Sequence, residues 1–105
     1  MSRLSTTTDQ GRLHNPHAGE MLASEFMEPL HLDVEALAEA IDVAPARLGA
    51  LIDGVRAVDA ELDLRLARYF RMSEGFFLRL QNSYELLEAK RTLNGDLDRI
   101  VPRAA

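Results

Sequence analysis

The feature that most constrains the fold is a pair of short amphipathic segments separated by a break too short to hold another element. The first, Val34–Ile41, has apolar residues at i, i+3, i+4 and i+7, and Asp33 precedes it as a suitable N-cap. The second, Pro45–Asp53, starts with a proline suited to a first helical turn and is followed by Gly54 as a stop. Two short helices joined by a tight turn predict a helix-turn-helix unit, in which the second helix can be presented to a DNA groove.

Three further helices flank this unit, and each is bounded by a local signal. The first helix of the chain covers Gly19–Glu28 and stops before Pro29. The fourth starts at Asp59, and Ser73 is expected to cap the fifth. Since no segment alternates as a strand does, the fold class predicted is all-α. The expected apolar stripes are Met21, Leu22, Phe26 and Leu30 on the first helix, Leu48, Leu51 and Ile52, expected to be buried, on the third, Leu62, Leu66 and Phe70 on the fourth, and Phe76, Phe77, Leu80, Tyr84 and Leu87 on the fifth. The stripe of the fifth helix either belongs to the core or packs against a second copy of the chain.

The chain has 105 residues, which is enough for one domain. We expect a flexible N-terminal arm at 1–13, a five-helix domain at 14–91 and a tail at 92–105 that contains an Asn94-Gly95 turn. The first residues are polar and lack the apolar segment of a signal peptide. The chain has no cysteine, which excludes disulfides and thiolate zinc sites and fits a cytoplasmic protein.

The sequence offers little for catalysis or metal binding. His14 and His17 are three residues apart, but no third ligand is arranged with them, and we expect His17 to organise the start of the first helix instead. There is no nucleophile elbow, phosphate-binding glycine loop or isolated carboxylate pair. We therefore expect no enzyme activity, no cofactor and no metal.

The acidic residues are concentrated in the first half of the chain. The net charge is −5, and between Leu13 and Asp63 the only basic residues are Arg47 and Arg56. The balance reverses afterwards, where Arg65, Arg68 and Arg71 follow one another at intervals of three. We expect these three arginines to form a solvated face that pairs with Glu61 or Asp63 rather than a phosphate-binding edge. An acidic first half attracts a basic partner and repels phosphate.

Several short motifs follow one another between residues 15 and 87. They are Asn15-Pro16-His17-Ala18-Gly19-Glu20-Met21-Leu22, Glu25-Phe26-Met27-Glu28-Pro29-Leu30, Ala36-Leu37-Ala38, Leu64-Arg65-Leu66-Ala67-Arg68-Tyr69-Phe70 and Phe76-Phe77-Leu78-Arg79-Leu80-Gln81, followed by Tyr84. In this order they resemble the HigA-type antitoxins of the lambda-repressor-like helix-turn-helix superfamily, which open with Pro-x-His-Pro-Gly-Glu-x-Leu and carry Glu-Phe-x-x-Pro-Leu and Phe-Trp-Leu-x-Leu-Gln further on.

The resemblance implies a small antitoxin that neutralises a RelE/HigB-like toxin, a basic mRNA-cleaving enzyme. It also implies a homodimer that binds operator DNA and represses its own operon. Two other functions stay open: a protein-binding module whose DNA-reading helix has decayed, using the acidic surface around Glu35, Glu39 and Asp42, and a stand-alone transcription regulator.

The candidate DNA-binding residues lie on the presented helix and in the loop after it, and they are Arg47, Ala46, Gly49, Ala50 and Arg56. Only Arg47 can donate to a base edge, and alanines can at most touch a thymine methyl. The unit from Asp33 to Asp59 holds six acidic residues and two arginines. DNA binding is therefore either retained through these arginines and an arm containing Arg3 and Arg12, or lost; the resemblance favours the first and the local charge the second.

Overall fold

The computed structural model describes residues 13–104, and within them all regular structure is helical. The first twelve residues of the predicted arm, with Arg3 and Arg12, lie outside the described residues. The elements are α1 (Ala18–Met21, continued by a π-helical turn, Leu22–Met27, and a 3-10 turn, Glu28–Leu30), α2 (Val34–Ile41), α3 (Pro45–Ile52), α4 (Ala60–Phe70), α5 (Phe76–Leu93) and a 3-10 turn, Asp96–Arg99.

The boundaries of the helix-turn-helix unit follow the predicted local signals. The Asp33 carboxylate accepts a hydrogen bond from the Ala36 backbone amide at 2.8 Å and so caps α2. Asp42 ends α2 in the left-handed conformation, with φ of 60°, and Pro45 opens α3. Gly54 follows α3 with φ of 80°, a conformation that glycine adopts without strain. The turn between α2 and α3 was therefore predictable from local chemistry.

One apolar core joins the five helices. Helix α2 packs on α3 and α4, α4 packs on α5, and α1 contacts both α3 and α5. Burial of these apolar side chains is the main source of stability for a domain of this size. The large core side chains with almost no exposed surface are Leu22, Leu37, Leu48, Leu51, Leu62, Leu66 and Phe77.

The start of α1 lies directly against α3. A Cβ built on Gly19 would come 1.8 Å from the carbonyl oxygen of Leu51, so only glycine permits this approach. His17 is the N-cap of α1: its Nδ1 accepts from the amides of Gly19 and Glu20 at 3.1 and 3.3 Å. Glu20 returns the contact by accepting from the His17 amide at 3.1 Å, which completes a capping box. The expectation that His17 organises the first helix is confirmed.

The cap of α5 differs from the prediction. Ser73 does not cap the helix; its hydroxyl accepts from Arg79 at 2.9 Å. The carboxylate of Asp63 on α4 takes this role, because it accepts from the backbone amides of Gly75, Phe77 and Leu78 at 2.6, 2.7 and 3.0 Å. Asp63 is 1% exposed. Of Glu61 and Asp63, the two alternatives expected to pair with the surface arginines, Asp63 is therefore excluded, since its buried carboxylate is used by the backbone of α5.

The two ends of the domain also differ in detail from the sequence expectations. The first helix widens into the π-helical turn Leu22–Met27, and Leu30 is 60% exposed rather than part of the core. Helix α5 continues to Leu93, two residues past the predicted end of the helical pattern at about Arg91, and Asn94-Gly95 then forms the predicted turn. Leu87, on the stripe expected either in the core or against a second copy, is exposed in the single chain. Within residues 13–104, none of the helices has the length and apolar character needed to cross a membrane.

Candidate nucleic-acid interface

The first turn of α3 is open to solvent at its N-terminal end. Ala44 precedes the helix in an extended conformation and supplies no side-chain cap, and Pro45 carries no amide hydrogen. Ala46 in the same turn is exposed. The Arg47 amide donates to the Ala44 carbonyl at 3.0 Å, so of the first-turn amides that of Ala46 is left to water or to an anion such as a phosphate. This end of α3 is therefore sterically accessible to nucleic acid.

The outward side of α3 carries very small side chains. Gly49 and Ala50 are partly buried, and a Cβ built on Gly49 would meet nothing within 4 Å. The carbonyl oxygen of Ala50 accepts from the amides of Val55 and Arg56 at 2.9 and 3.1 Å, which fixes the loop that follows α3. The structure brings Ala46, Gly49 and Ala50 onto one helix, as the sequence predicts, and none of the three offers a side-chain hydrogen bond to a base.

Arg47 does not project freely from α3. Its Nη2 donates to both carboxylate oxygens of Asp59, at 3.0 and 3.1 Å, and its Nη1 lies 3.5 Å from Oε1 of Glu61. The side chain is 20% exposed, and within residues 13–104 its buried Nε has no hydrogen-bond partner. The expectation of an outward-pointing Arg47 is corrected: the side chain lies on the surface but folds back onto the start of α4, because two carboxylates are within reach there.

Arg56 shares the same acidic partner. It is exposed in the loop after α3, and its Nη2 lies 3.8 Å from Oδ2 of Asp59. Arg47 and Arg56, the two basic candidates, thus face one carboxylate, which the α3–α4 loop brings between them. The sequence placed Asp59 as a helix cap but gave no signal that it would also hold these arginines, since that contact depends on how α3 and α4 pack.

Asp59 combines two roles at the start of α4. Its Oδ1 accepts from the Leu62 backbone amide at 2.9 Å, so the predicted cap is confirmed. That hydrogen bond, and then the charge of Arg47, lower the pKa of the Asp59 carboxyl. The carboxylate is therefore fully ionised near neutral pH and presents a stable negative charge to Arg47.

The other charged residues of the unit from Asp33 to Asp59 are all acidic. Asp33 at the cap of α2, Glu35 and Glu39 on α2, Asp42 in the turn and Asp53 after α3 are exposed. On α4, Arg65 pairs with Glu61 at 3.0 Å and donates to the Ile41 carbonyl at 2.9 Å. The predicted pairing of this arginine with Glu61 is confirmed. Within the described part of the chain, no group of three or more His, Asp or Glu side chains could hold a metal ion.

Two curated relatives identify the family. The chain is 36% identical over 75 residues to virulence-associated protein I of Dichelobacter nodosus, a match that covers 71% of this chain and 69% of the relative. It is 33% identical over 72 residues to antitoxin HigA-1 of Vibrio cholerae, with 69% and 68% covered. The chain belongs to the HigA/VapI family of helix-turn-helix proteins. No protein-family model matches the sequence.

Solved structures of this family confirm the fold. A Pseudomonas aeruginosa protein, PA4674, was solved with an 18-base-pair operator DNA; it aligns with a TM-score of 0.81 at 30% identity, over 89% of this chain and 99% of PA4674. The P. aeruginosa antitoxin HigA, solved with the higBA promoter, aligns with a TM-score of 0.76 at 27% identity, over 88% and 100%. The HigA-type helix-turn-helix architecture expected from the sequence is confirmed.

Proposed function

We propose that this chain is a HigA-type cytoplasmic antitoxin that binds operator DNA as a homodimer and neutralises a RelE/HigB-like toxin. The observation that carries the DNA half is the likeness to PA4674, whose structure contains operator DNA, at 30% identity and a TM-score of 0.81. The exposed, uncapped first turn of α3 supports it further, because a groove-reading helix meets DNA at this end.

The DNA affinity is expected to be modest and to depend only weakly on salt. Each phosphate neutralised by a cation contributes about −0.9 to the slope of log affinity against log salt concentration. On the candidate interface only Arg47 and Arg56 are basic, and both face Asp59. We therefore expect a shallow slope and measurable binding mainly at low salt.

A titration of duplex DNA tests this half of the proposal. The purified chain is added to a labelled duplex from immediately upstream of its reading frame and to a scrambled duplex, at salt concentrations from about 50 to 200 mM. Tighter binding to the upstream duplex is expected, and Arg47→Ala should reduce that preference. Arg79→Ala, on α5 and bonded to Ser73, is the control. Equal binding of the two duplexes at every salt concentration would contradict the DNA half.

The dimer is proposed to form at the C-terminal end of the domain. Leu86 on α5 is 61% exposed, and Leu97, Ile100 and Val101 beyond that helix are exposed as well. Such a group of apolar side chains is suited to burial against a second copy around a twofold axis. Leu86→Glu should shift the mass measured by sedimentation towards the monomer. Leu30→Glu replaces a leucine of matching exposure in the 3-10 turn after α1 and should leave the dimer intact. Loss of the dimer on Leu30→Glu but not on Leu86→Glu would place the interface elsewhere.

The toxin half rests on family membership and on the acidic surface of α2. Co-expression with a neighbouring toxin gene should restore growth, and charge reversal at both Glu35 and Glu39 should weaken capture of a basic toxin. A failure to restore growth with every adjacent basic gene product would contradict this half and favour a stand-alone regulator.

A second candidate function is a protein-binding module without DNA recognition. The contacts of Arg47 with Asp59 and Glu61 specifically favour this function. With Arg47 held there, none of the predicted DNA-binding residues on α3 offers a free side-chain donor. Under this alternative, Arg47→Ala leaves both duplex affinities unchanged while the charge reversals on α2 still abolish toxin capture.

A further inference from the structure

We infer that Asp59, with Glu61, is an affinity-determining residue that restrains DNA binding by holding the guanidinium of Arg47 against α4. The inference rests on the proposed DNA-binding function and names the group within that site that sets its strength. It assigns to Asp59 a role beyond capping α4, and it predicts that removing the Asp59 charge tightens DNA binding.

The geometry of the ion pair supports this role. A guanine is read by two N–H donors of one arginine, and a phosphate requires at least one. Nη2 of Arg47 already donates to both oxygens of Asp59, and Nη1 faces Glu61 at 3.5 Å. The guanidinium thus cannot make a two-donor contact to DNA through its Nη atoms without leaving Asp59.

The contact is nevertheless one that DNA can displace. The acidic side of the contact is open to water: about half of the Asp59 side chain is exposed (48%) and more than half of Glu61 (58%), whereas Arg47 is 20% exposed. Solvent at the two carboxylates screens these ion pairs and weakens them. The buried Nε of Arg47 has no partner in residues 13–104, so the folded-back position leaves part of the hydrogen-bonding capacity unused. Asp59 and Glu61 therefore compete with DNA for Arg47 rather than exclude DNA altogether.

Asp59→Asn removes the negative charge of residue 59 but keeps its capping hydrogen bond. Asparagine caps helices as well as aspartate does, so the bond to the Leu62 amide and the start of α4 are retained. Affinity for the upstream duplex should rise by up to about fivefold, the affinity ratio that corresponds to an ion pair with a half-exposed carboxylate. Asp59→Thr also keeps a capping side chain without the charge, and serves as a second variant if the first folds poorly.

Two comparisons separate this role from a general loss of negative charge. Asp33→Asn is the matched control: it removes one charge from the N-cap of α2, and among the described residues Asp33 forms no ion pair with an arginine. Its gain in affinity should be clearly smaller. In the second comparison, Asp59→Asn is introduced together with Arg47→Ala, and the gain should fall to that of the Asp33 control.

The outcomes are distinct. An equal gain from Asp59→Asn with and without Arg47→Ala would overturn the inference, because Asp59 would then act only as a general charge. A loss of affinity on Asp59→Asn would also overturn it and would mean that Asp59 holds Arg47 in position for DNA. If the wild-type chain prefers the upstream duplex and Asp59→Asn changes nothing, the inference fails while the proposed function stands. If neither protein distinguishes the two duplexes, the proposed DNA function fails and the inference with it.

Discussion

The inward and outward sides of α3 are built from opposite kinds of residue. Inward, Leu48 and Leu51 are buried in the core, and Gly19 of α1 comes so close that no side chain fits between the two helices. Outward, the helix carries alanine and glycine, and its one arginine is held by Asp59. The inward side determines where α3 lies, and under the proposed function the outward side sets the affinity for DNA. The family fold can therefore be retained whatever residues the outward side carries.

The same contrast occurs within the first residues of α4. Asp59 and Asp63 are four residues apart, and each accepts backbone hydrogen bonds at the start of a helix. Asp59 is exposed and also binds the side chain of Arg47, a residue that we propose contacts DNA. Asp63 is buried and serves only the backbone of α5. Burial thus separates a carboxylate that serves the fold alone from one that we propose also affects DNA binding.

The largest effect is expected when the inward side is disturbed at the contact of α1 with α3. Gly19→Ala places a methyl group 1.8 Å from the Leu51 carbonyl oxygen, so the two helices must separate. The free energy of unfolding should fall by about 3 kcal/mol or more, as in severe overpacking. Urea unfolding followed by circular dichroism measures the loss.

Gly49→Ala is the matched control for that substitution. The new methyl group meets nothing within 4 Å, and alanine favours a helix interior over glycine. A gain of about 0.5 to 1 kcal/mol is expected. If both substitutions change stability equally, the distinction between the two sides of α3 is wrong.

A somewhat smaller loss is expected at Asp63. Asp63→Ala removes the acceptor of three backbone amides, and those groups remain in or near the core. The unfolding free energy should fall by about 2 to 4 kcal/mol. Asp33→Ala removes an exposed cap and should cost only about 1 kcal/mol. If Asp63→Ala lowers the free energy of unfolding no more than Asp33→Ala does, the burial of the Asp63 cap adds nothing to stability.

The sequence predicted those parts of the structure that depend on near neighbours. Asp33, Pro45, Gly54 and Asp59 each act on residues within one helical turn, and each has the predicted place. Asp63 was missed because its partners are 12 to 15 residues away, across the α4–α5 connection. An acidic residue between Leu62 and Leu66 on an apolar face was the available signal.

The sequence predicted which elements carry the candidate residues, but not the conformation of the Arg47 side chain. The five predicted residues lie on α3 and in the loop after it, as expected. The position of the Arg47 guanidinium depends on a residue 12 positions away, and the side-chain pattern of α3 contains no information on it. The widening of the first helix into a π-helical turn was likewise not encoded in its apolar spacing, which fits an ordinary α-helix equally well.

The smallest effect concerns the pH dependence of the outward side. Because the Leu62 amide and Arg47 lower the pKa of Asp59 in the folded chain, the stability from its charge is present above the unfolded value, roughly pH 4. It is lost as the pH falls through the lower, folded value. The difference in unfolding free energy between wild type and Asp59→Asn should stay constant from about pH 7 to 5, at less than about 1 kcal/mol, and vanish at lower pH. A difference that disappears already above about pH 5 would contradict this assignment.

The most direct test of the separation between fold and DNA affinity measures both quantities for Arg47→Ala in the same preparation. We expect the preference for the upstream duplex to fall, while the free energy of unfolding changes by less than about 1 kcal/mol, since the ion pair that is lost has a half-exposed carboxylate. A large loss of stability with unchanged DNA affinity would contradict the account, because Arg47 would then belong to the structural side of α3.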